Sequence, residues 1–388
     1  MEKMVPVYLD YAATTSVDPR VLDAMLPYFS ESFGNPSSVH RYGQRAEAAL
    51  ETARERVAAV LNCRPSEVIF TSCGTESDNL ALAGAAASAR GIGRGRILTS
   101  RAEHPAVSKT AERLGQNSDF EVRWLPVDEY GMVGAQAVEA AIDDRTALVS
   151  VMYANNEIGT VNPIAEIAEL CRGHSVPLHT DAVQAAAYLD VDVQKLGVDL
   201  MSLGAHKFYG PKGVGALYAR AGTRLRAQLT GGGQESGLRA GTQNIPYIVG
   251  LAEALSLAAA EREARSAHVK PMRDHVIGGV LESIRDSRLT GHPEGRLPNH
   301  ASFVFKDVDG NLLLQLLDDA GFACSSGSAC KTGNPEPSDV MTALGLSREW
   351  GLGSLRVTLG VQTTPAEVQA FLDALPALVD KVRRLNRR

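Results

Sequence analysis

Between residues 68 and 207 short apolar runs alternate with stretches of helical periodicity, and nothing else in the sequence constrains the fold as tightly. Val68–Ser72, Arg96–Ser100, Phe120–Leu125, Thr146–Met152, Pro177–His179 and Val198–Leu203 read as strands. Arg41–Leu61 carries Ala46, Ala49, Leu50, Ala53 and Val57 at helical spacing, and an alanine-rich helix is expected from Cys73 to near Gly91. Such alternation predicts an α/β layer around a largely parallel sheet. In sheets of that kind ligands sit beyond the C-terminal ends of the strands.

The residues on which those strands end therefore matter most. Thr99-Ser100 leads to Glu103-His104, Val151-Met152 to Asn155-Asn156-Glu157, and Leu178-His179 to Asp181 and Gln184. Leu200–Leu203 leads through Gly204 to His206 and Lys207, and Gly210-Pro-Lys-Gly213 then turns the chain into a strand restarting at Val214. An ammonium held at the end of a buried strand costs free energy unless it is paired or neutralised. A desolvated lysine can form a Schiff base; a surface hairpin with a solvated Lys207 is the alternative. After Val68–Ser72, Cys73-Gly74-Thr75 opens a helix whose free N–H groups can bind an anion. Thr75 and Asp78 also fit a plain capping box. Five polar strand endings along one sheet form a constellation.

The flanking segments are read as follows. Val7–Thr15 is a short strand and a turn, Asp18-Pro19 opens a helix through Phe29, and Gly34–Ser38 is a rigid loop. Thr230–Thr242 is a glycine-dense loop, and a long helix from Pro246 to about His268 leaves the α/β region. Ala301–Phe305 and Ser354–Leu359 read as strands, Asn311–Asp319 as a helix, and Thr364-Pro365 as the start of a terminal helix. Within this last part lies Cys324-Ser-Ser-Gly-Ser-Ala-Cys-Lys-Thr-Gly-Asn334, small residues without periodicity, which places Cys330 on a loop as a nucleophile candidate and leaves Cys324 to packing.

With 388 residues, two domains are the expectation: a large one over 16–262, and a small one from 1–15 with 263–388. A net charge of −6 without a long basic run argues against a nucleic-acid surface. No apolar run suits a membrane span or a signal core. Five cysteines, with no C-x-x-C pair and no histidine spaced for zinc, suit reduced thiols in a cytoplasmic protein and leave no metal site in view.

Together the pieces suggest pyridoxal phosphate (PLP). Lys207 would hold the aldehyde as an imine, and Asp181 would keep the pyridine nitrogen protonated so that the ring acts as an electron sink. His104 could stack on the ring and handle protons, and Gln184 could donate to the phenolate. Thr75, His206 and loop N–H groups would take the phosphate.

The chain resembles the cysteine desulfurases of the NifS/IscS class, fold-type I PLP enzymes. The resemblance covers nearly the whole length. It rests on Tyr8-Leu-Asp-Tyr-Ala-Ala-Thr-Thr15, Gly34-Asn-Pro-Ser-Ser38, Thr71-Ser-Cys-Gly-Thr-Glu-Ser-Asp-Asn79, Glu103-His104, Asn155-Asn-Glu-Ile-Gly159, Asp181-Ala-Val-Gln184, His206-Lys207 with Gly210-Pro-Lys-Gly213, Gly231-Gly-Gly-Gln-Glu235 with Arg239-Ala-Gly-Thr242, and Ser325-Ser-Gly-Ser-Ala-Cys330.

It implies a large PLP-binding α/β domain and a smaller α+β domain carrying the cysteine loop. Lys207 becomes the Schiff-base lysine and Cα proton shuttle, and His104 the stacking acid/base. Asp181 and Gln184 address the ring. Gly74, Thr75 and His206 hold the phosphate, with Thr242 from the other subunit of a homodimer. Asn156, Arg356 and Asn35 bind substrate, and Cys330 accepts sulfur as a persulfide while L-cysteine becomes L-alanine. A sulfur-acceptor protein is the implied partner, serving iron–sulfur cluster, thio-cofactor or tRNA biosynthesis. A selenocysteine lyase or small-amino-acid aminotransferase of the same fold is the nearest alternative, and a non-catalytic PLP-binding regulator one of another class. Two positions depart from the family pattern: Gly204 stands where a phosphate-binding serine is usual, and Cys73 where glycine is common.

Overall fold

The computed structural model describes residues 6–117, 120–326 and 336–386. A first short strand, β1 (Val7–Tyr8), precedes the main sheet. That sheet is built from β2 (Val68–Thr71), β3 (Arg96–Ser100), β4 (Glu121–Leu125), β5 (Thr146–Ser150), β6 (Leu178–Asp181), β7 (Leu200–Gly204) and β8 (Gly215–Ala219), in the order β2-β8-β7-β6-β5-β3-β4. Strands β7, β6, β5, β3 and β4 run parallel. β8 pairs antiparallel with both β7 and β2, so β2 points the same way as β7. All five polar strand endings consequently open on one edge of the sheet.

Every residue of β3, β5, β6 and β7 is buried. A parallel sheet is covered on both faces, so these strands lack the alternation of a half-exposed strand, and their polar residues gather towards the C-terminal ends, as in Thr99-Ser100 and Thr180-Asp181. One cover is the helix Gly74–Ala89, whose Leu80, Ala81, Leu82 and Ala85 meet Ile69, Leu148, Leu200 and Leu217 of the strands. On the other face Leu50, Val57 and Leu61 of the helix Arg41–Leu61 join Met201, Leu203 and Leu251 in the main core.

A second, antiparallel sheet contains β9 (Ser287–Leu289), β10 (His300–Phe305) and β12 (Ser354–Thr358), in the order β12-β10-β9. The helices Gly310–Asp319 and Pro365–Asn386 belong to the same part of the chain. β1 pairs in parallel with β11 (Phe322–Ala323), Val7 against Phe322 and Tyr8 against Ala323. This brings the N-terminal strand beside the segment that leads towards Cys330.

Three expectations need correction. The helix from Pro19 does not run unbroken to Phe29: it stops at Met25, and a second turn occupies Pro27–Ser30. Pro27 has no N–H to continue the ladder, and its ring opposes the preceding turn. The long helix is Ile245–Ser283, passing His268 and continuing through Pro271. Val269, Met272, Val276 and Val280 are buried along it, so the apolar face outweighs the one backbone bond that a proline removes. The capping box at Thr75 and Asp78 does not form. Cys73 holds the cap position without a side-chain bond, the Ser72 N–H donates to Glu76 at 2.7 Å, and Asp78 is turned into the interior.

Candidate active site

At the common edge of the strands lies a cavity of about 340 Å³ lined by residues from widely separated stretches of chain. Gly74, Thr75, His104, Asn156, Asp181, Gln184, His206, Lys207 and Arg356 all border it. Each of them is a residue that the sequence singles out. Thr242 and Asn35 are not in the lining. Both are exposed on the single chain, and the Asn35 side-chain oxygen accepts from the Ser37 N–H at 2.9 Å. Cys330 lies outside the described residues.

Lys207 leaves β7 through the short turn Ala205–Lys207, and the β7–β8 hairpin fixes its direction. Its Nζ donates to the carbonyl oxygens of Ala12 at 2.6 Å and Ala13 at 2.7 Å. Burial, with Arg356 adding to it, brings its pKa down to about 8, against a partial upward pull from Asp10 and Asp181. A solvated surface lysine is therefore not what the fold makes of this residue. Gln184 donates to the same Ala12 carbonyl at 2.8 Å.

Asp181 ends β6, and its carboxylate accepts from the Val183 N–H at 2.9 Å. Burial pushes its carboxyl pKa up, while His104 and Lys207 pull it back. Asp78 is 1 % exposed, with Oδ1 lacking a hydrogen-bond partner and 3.5 Å from His179 Nε2. Burial raises its pKa further, and Asp181 adds repulsion. His179 cannot neutralise this pair: burial holds its pKa near 3, and its nitrogens meet the Ser150 and Ser202 hydroxyls at 2.8 and 3.0 Å. Burial also lowers His104 and lifts Glu103 to about 8.

Two under-compensated carboxyls lining the cavity suit a cationic ring N–H, which is what a protonated pyridine offers. Asp78, His104 and Asp181 have ligand atoms within 4.8 Å of one another, a grouping that sequence spacing hides. The ammonium of Lys207 lines the same cavity, which favours an organic cofactor over a metal ion there.

The same cavity offers groups that suit a phosphate. The helix Gly74–Ala89 opens on it with the free N–H groups of a first turn. A Cβ at Gly74 would stand 2.6 Å from the Val183 side chain, so glycine is required for that close approach. His206 Nδ1 meets the Thr14 hydroxyl at 3.1 Å, and burial brings its pKa down to about 4, leaving it neutral. The residues present fit PLP at both ends.

Asn156 and Arg356 also line the cavity. Arg356 Nη1 donates to the Asn156 carbonyl at 2.8 Å and Nη2 to Asp10 at 2.8 Å. Arg356 Nε and Asn156 Oδ1 are buried without partners. The parts played by Asp10, Asp78 and Glu157 are not legible in the sequence. Asp10 sits inside a recognisable motif, but its partner is 346 positions away and no local pattern announces the pair.

The Aminotransferase class-V model matches residues 7–371. The chain is 46 % identical to a cysteine desulfurase IscS of Methanosarcina thermophila over 98 % of this chain and 93 % of that one. It is 45 % identical to a cysteine desulfurase IscS of Neisseria meningitidis, covering 100 % and 95 %. Among solved structures it superposes on a NifS-like protein with a TM-score of 0.90 at 37 % identity, covering 97 % and 100 %. For SspA in complex with cysteine the TM-score is 0.80 at 36 % identity, covering 92 % and 99 %.

Proposed function

This chain belongs to the aminotransferase class-V family, with the fold of the NifS-like PLP enzymes, and from that premise we propose how its residues act as a cysteine desulfurase. The observation that carries the reading is the placement of Lys207: a half-buried amine with its pKa near 8 shares one cavity with Asp181 and a helix N-terminus. When bound, PLP supplies an electron sink for charge at the substrate Cα.

The protein supplies everything else. Gly74, Thr75 and His206 hold the phosphate, and Thr242 of a partner subunit completes the cradle in a homodimer. Asp181 and Gln184 fix the electronics of the ring, and His104 covers its face. Arg356 and Asn156 take the carboxylate of L-cysteine, a two-point task suited to a guanidinium, with Asn35 at the outer edge. Lys207, neutral in a useful fraction of molecules near pH 8, removes the Cα proton.

Cys330 then attacks as a thiolate. A bond forms between its Sγ and the substrate sulfur, and the substrate Cβ–S bond breaks. The electron pair stays on Cβ, which takes a proton, and Lys207 returns a proton to Cα to give alanine. A free thiol with a pKa of roughly 8.5 is only a few per cent ionised near pH 7. His104, which lines the cavity and is held towards its neutral form by burial, takes that proton. The persulfide passes to an acceptor protein serving iron–sulfur cluster, thio-cofactor or tRNA biosynthesis in the cytoplasm. The proposed division at 16–262, against 1–15 with 263–388, has its border within the continuous helix Ile245–Ser283. Among the described residues no helix is long and apolar enough to cross a membrane.

The test measures, with a dithiol reductant present to release the persulfide sulfur, alanine and sulfide from cysteine, alongside alanine and selenide from selenocysteine. Equal yields of alanine and sulfide are expected. Cys330→Ala should lose sulfide release and keep the visible absorbance of bound PLP, while Lys207→Ala should lose that absorbance. Sulfide production by Cys330→Ala at the normal rate, or selenocysteine turnover alone, overturns the reading.

A further inference from the structure

Asp10 follows β1 at the N-terminal end of the chain, and its two carboxylate oxygens face two different parts of the molecule. Oδ1 accepts from Arg356 Nη2 at 2.8 Å, and Oδ2 accepts from the Ser325 hydroxyl at 2.7 Å. Ser325 and Arg356 also exchange backbone hydrogen bonds, of 3.3 Å from the Ser325 N–H and 2.7 Å from the Arg356 N–H. The pairing of β1 with β11 places Asp10 there, so the arrangement follows from sheet register.

The guanidinium of Arg356 is thereby held from two sides. Nη1 is fixed by the Asn156 carbonyl and Nη2 by Asp10, while Nε is buried and unpaired. Two nitrogens set the plane of the group, and the third is left as a donor. The neighbouring Asn156 side-chain oxygen is also unpaired. Arg356 is 7 % exposed. A cation buried to that degree needs a counter-charge before any ligand arrives. Among the described residues, Asp10 is the carboxylate that forms an ion pair with it.

We propose that Asp10 is a positioning residue that orients Arg356 for the substrate carboxylate and ties that anchor to Ser325, at the base of the segment bearing the sulfur-accepting Cys330. The inference rests on the reading of Arg356 as the carboxylate anchor. Its consequence is a common frame: the carboxylate end of the substrate and the start of the nucleophile-bearing segment are registered on one side chain. A rigid shared support is what a reaction between two separately held sulfur atoms requires.

The competing role is purely structural, a salt bridge that pins the N-terminal strand to β12. The two roles are separated by the KM for cysteine, by the dissociation constant of L-alanine measured calorimetrically, and by rescue, all on the PLP-loaded enzyme. Asp10→Ala should raise both constants about tenfold, the loss of roughly one charge-assisted hydrogen bond. Asp10→Asn keeps an acceptor for Nη2 and should return both constants to within about threefold of the parent, the residual reflecting the lost charge. Ser325→Ala should raise KM about two- to threefold in the parent and have no further effect in Asp10→Ala, a coupling that a double-mutant cycle reads directly.

If Asp10→Ala lowers the melting temperature but leaves both constants within about twofold, well short of one lost hydrogen bond, the positioning role is overturned. Additive effects of Ser325→Ala and Asp10→Ala overturn the link to Ser325. Arg356→Lys is the control for the underlying reading. An unchanged KM in that variant sinks the carboxylate assignment itself, whereas a raised KM there with an unaffected Asp10→Ala sinks only the role of Asp10.

Discussion

Arg54 and Glu235 form a buried two-point ion pair, Nη1 to Oε2 at 2.8 Å and Nη2 to Oε1 at 3.0 Å, across 181 positions of sequence. Glu235 also accepts from the Phe70 N–H at 2.9 Å and from the Gln243 side chain at 3.2 Å. One carboxylate thus joins the helix Arg41–Leu61, the strand β2 and the glycine-dense loop before Thr242. Removing it takes the two-point partner from a buried guanidinium and leaves it only the half-exposed Glu51 at Nε and the Val68 carbonyl at Nη1. Glu235→Ala should cost about 3–5 kcal/mol of unfolding free energy, read by urea denaturation, with Glu235→Gln losing less because its oxygen still accepts. A loss below about 1 kcal/mol, the worth of a single net hydrogen bond, would mean that water replaces the carboxylate.

Lys207 yields a pH prediction of definite sign. Its amine is pulled from 10.5 to about 8 by burial and by Arg356, with Asp10 and Asp181 resisting. At pH 7 roughly a tenth of the PLP-free protein would carry the neutral, reactive amine, several hundred times the unperturbed fraction. The rate of PLP uptake should therefore rise with pH and level off above about 8. Arg356→Gln removes one lowering influence and should move the midpoint upward. A midpoint near the ordinary lysine value of roughly 10 in the parent protein would contradict the burial of Lys207.

The strand ends are legible because their signals are local. An apolar run, a glycine and a Gly-Pro turn announce Lys207 within a few residues, and short strand-like runs that end in polar residues announce His104 and Asp181. Asp78 misleads for the same reason. Its local setting imitates a helix cap, and only packing against His179 and Asp181 reveals a buried acid. The helix beyond Pro271 is hidden by a breaker signal that a continuous buried face overrides. Asp10 and Glu157 gain their meaning from partners 346 and 181 positions away, which periodicity does not encode.

Glu157 makes stability depend on pH. Burial raises its carboxyl from 4.5 to about 7; the Ser338 hydroxyl, at 2.6 Å, and Arg356 lower it, and Asp339 raises it. A folded-state pKa above the unfolded one means that the native form binds the proton more tightly. That contribution is complete below pH 4.5 and disappears as pH rises through 7. Glu157→Gln keeps an acceptor for Ser338 and removes the titration. At about pH 8 it should be more stable than the parent by up to about 3 kcal/mol, and near pH 4 the difference should vanish. Urea midpoints at several pH values check this, and parallel curves for the two proteins would refute it.

Gly204 departs from the family pattern at the place where phosphate is to be held, and the surrounding geometry decides what serine would do there. Its backbone is extended, φ −138° and ψ 114°, which any residue adopts. A Cβ would stand 3.3 Å from the Val183 side chain and 3.5 Å from the Gly74 nitrogen. The first contact asks Val183 to give by a few tenths of an ångström, and the second places the new hydroxyl beside the helix N-terminus. Gly204→Ser should therefore add a donor for the phosphate and tighten PLP binding about fivefold, close to 1 kcal/mol for one net hydrogen bond. Gly74→Ala should do the opposite, because its Cβ would meet Val183 at 2.6 Å and push the cradle open. Fluorescence titration of the PLP-free proteins separates the two outcomes. If Gly204→Ser binds PLP no better than the parent, a backbone N–H or a water already occupies the position that serine would fill.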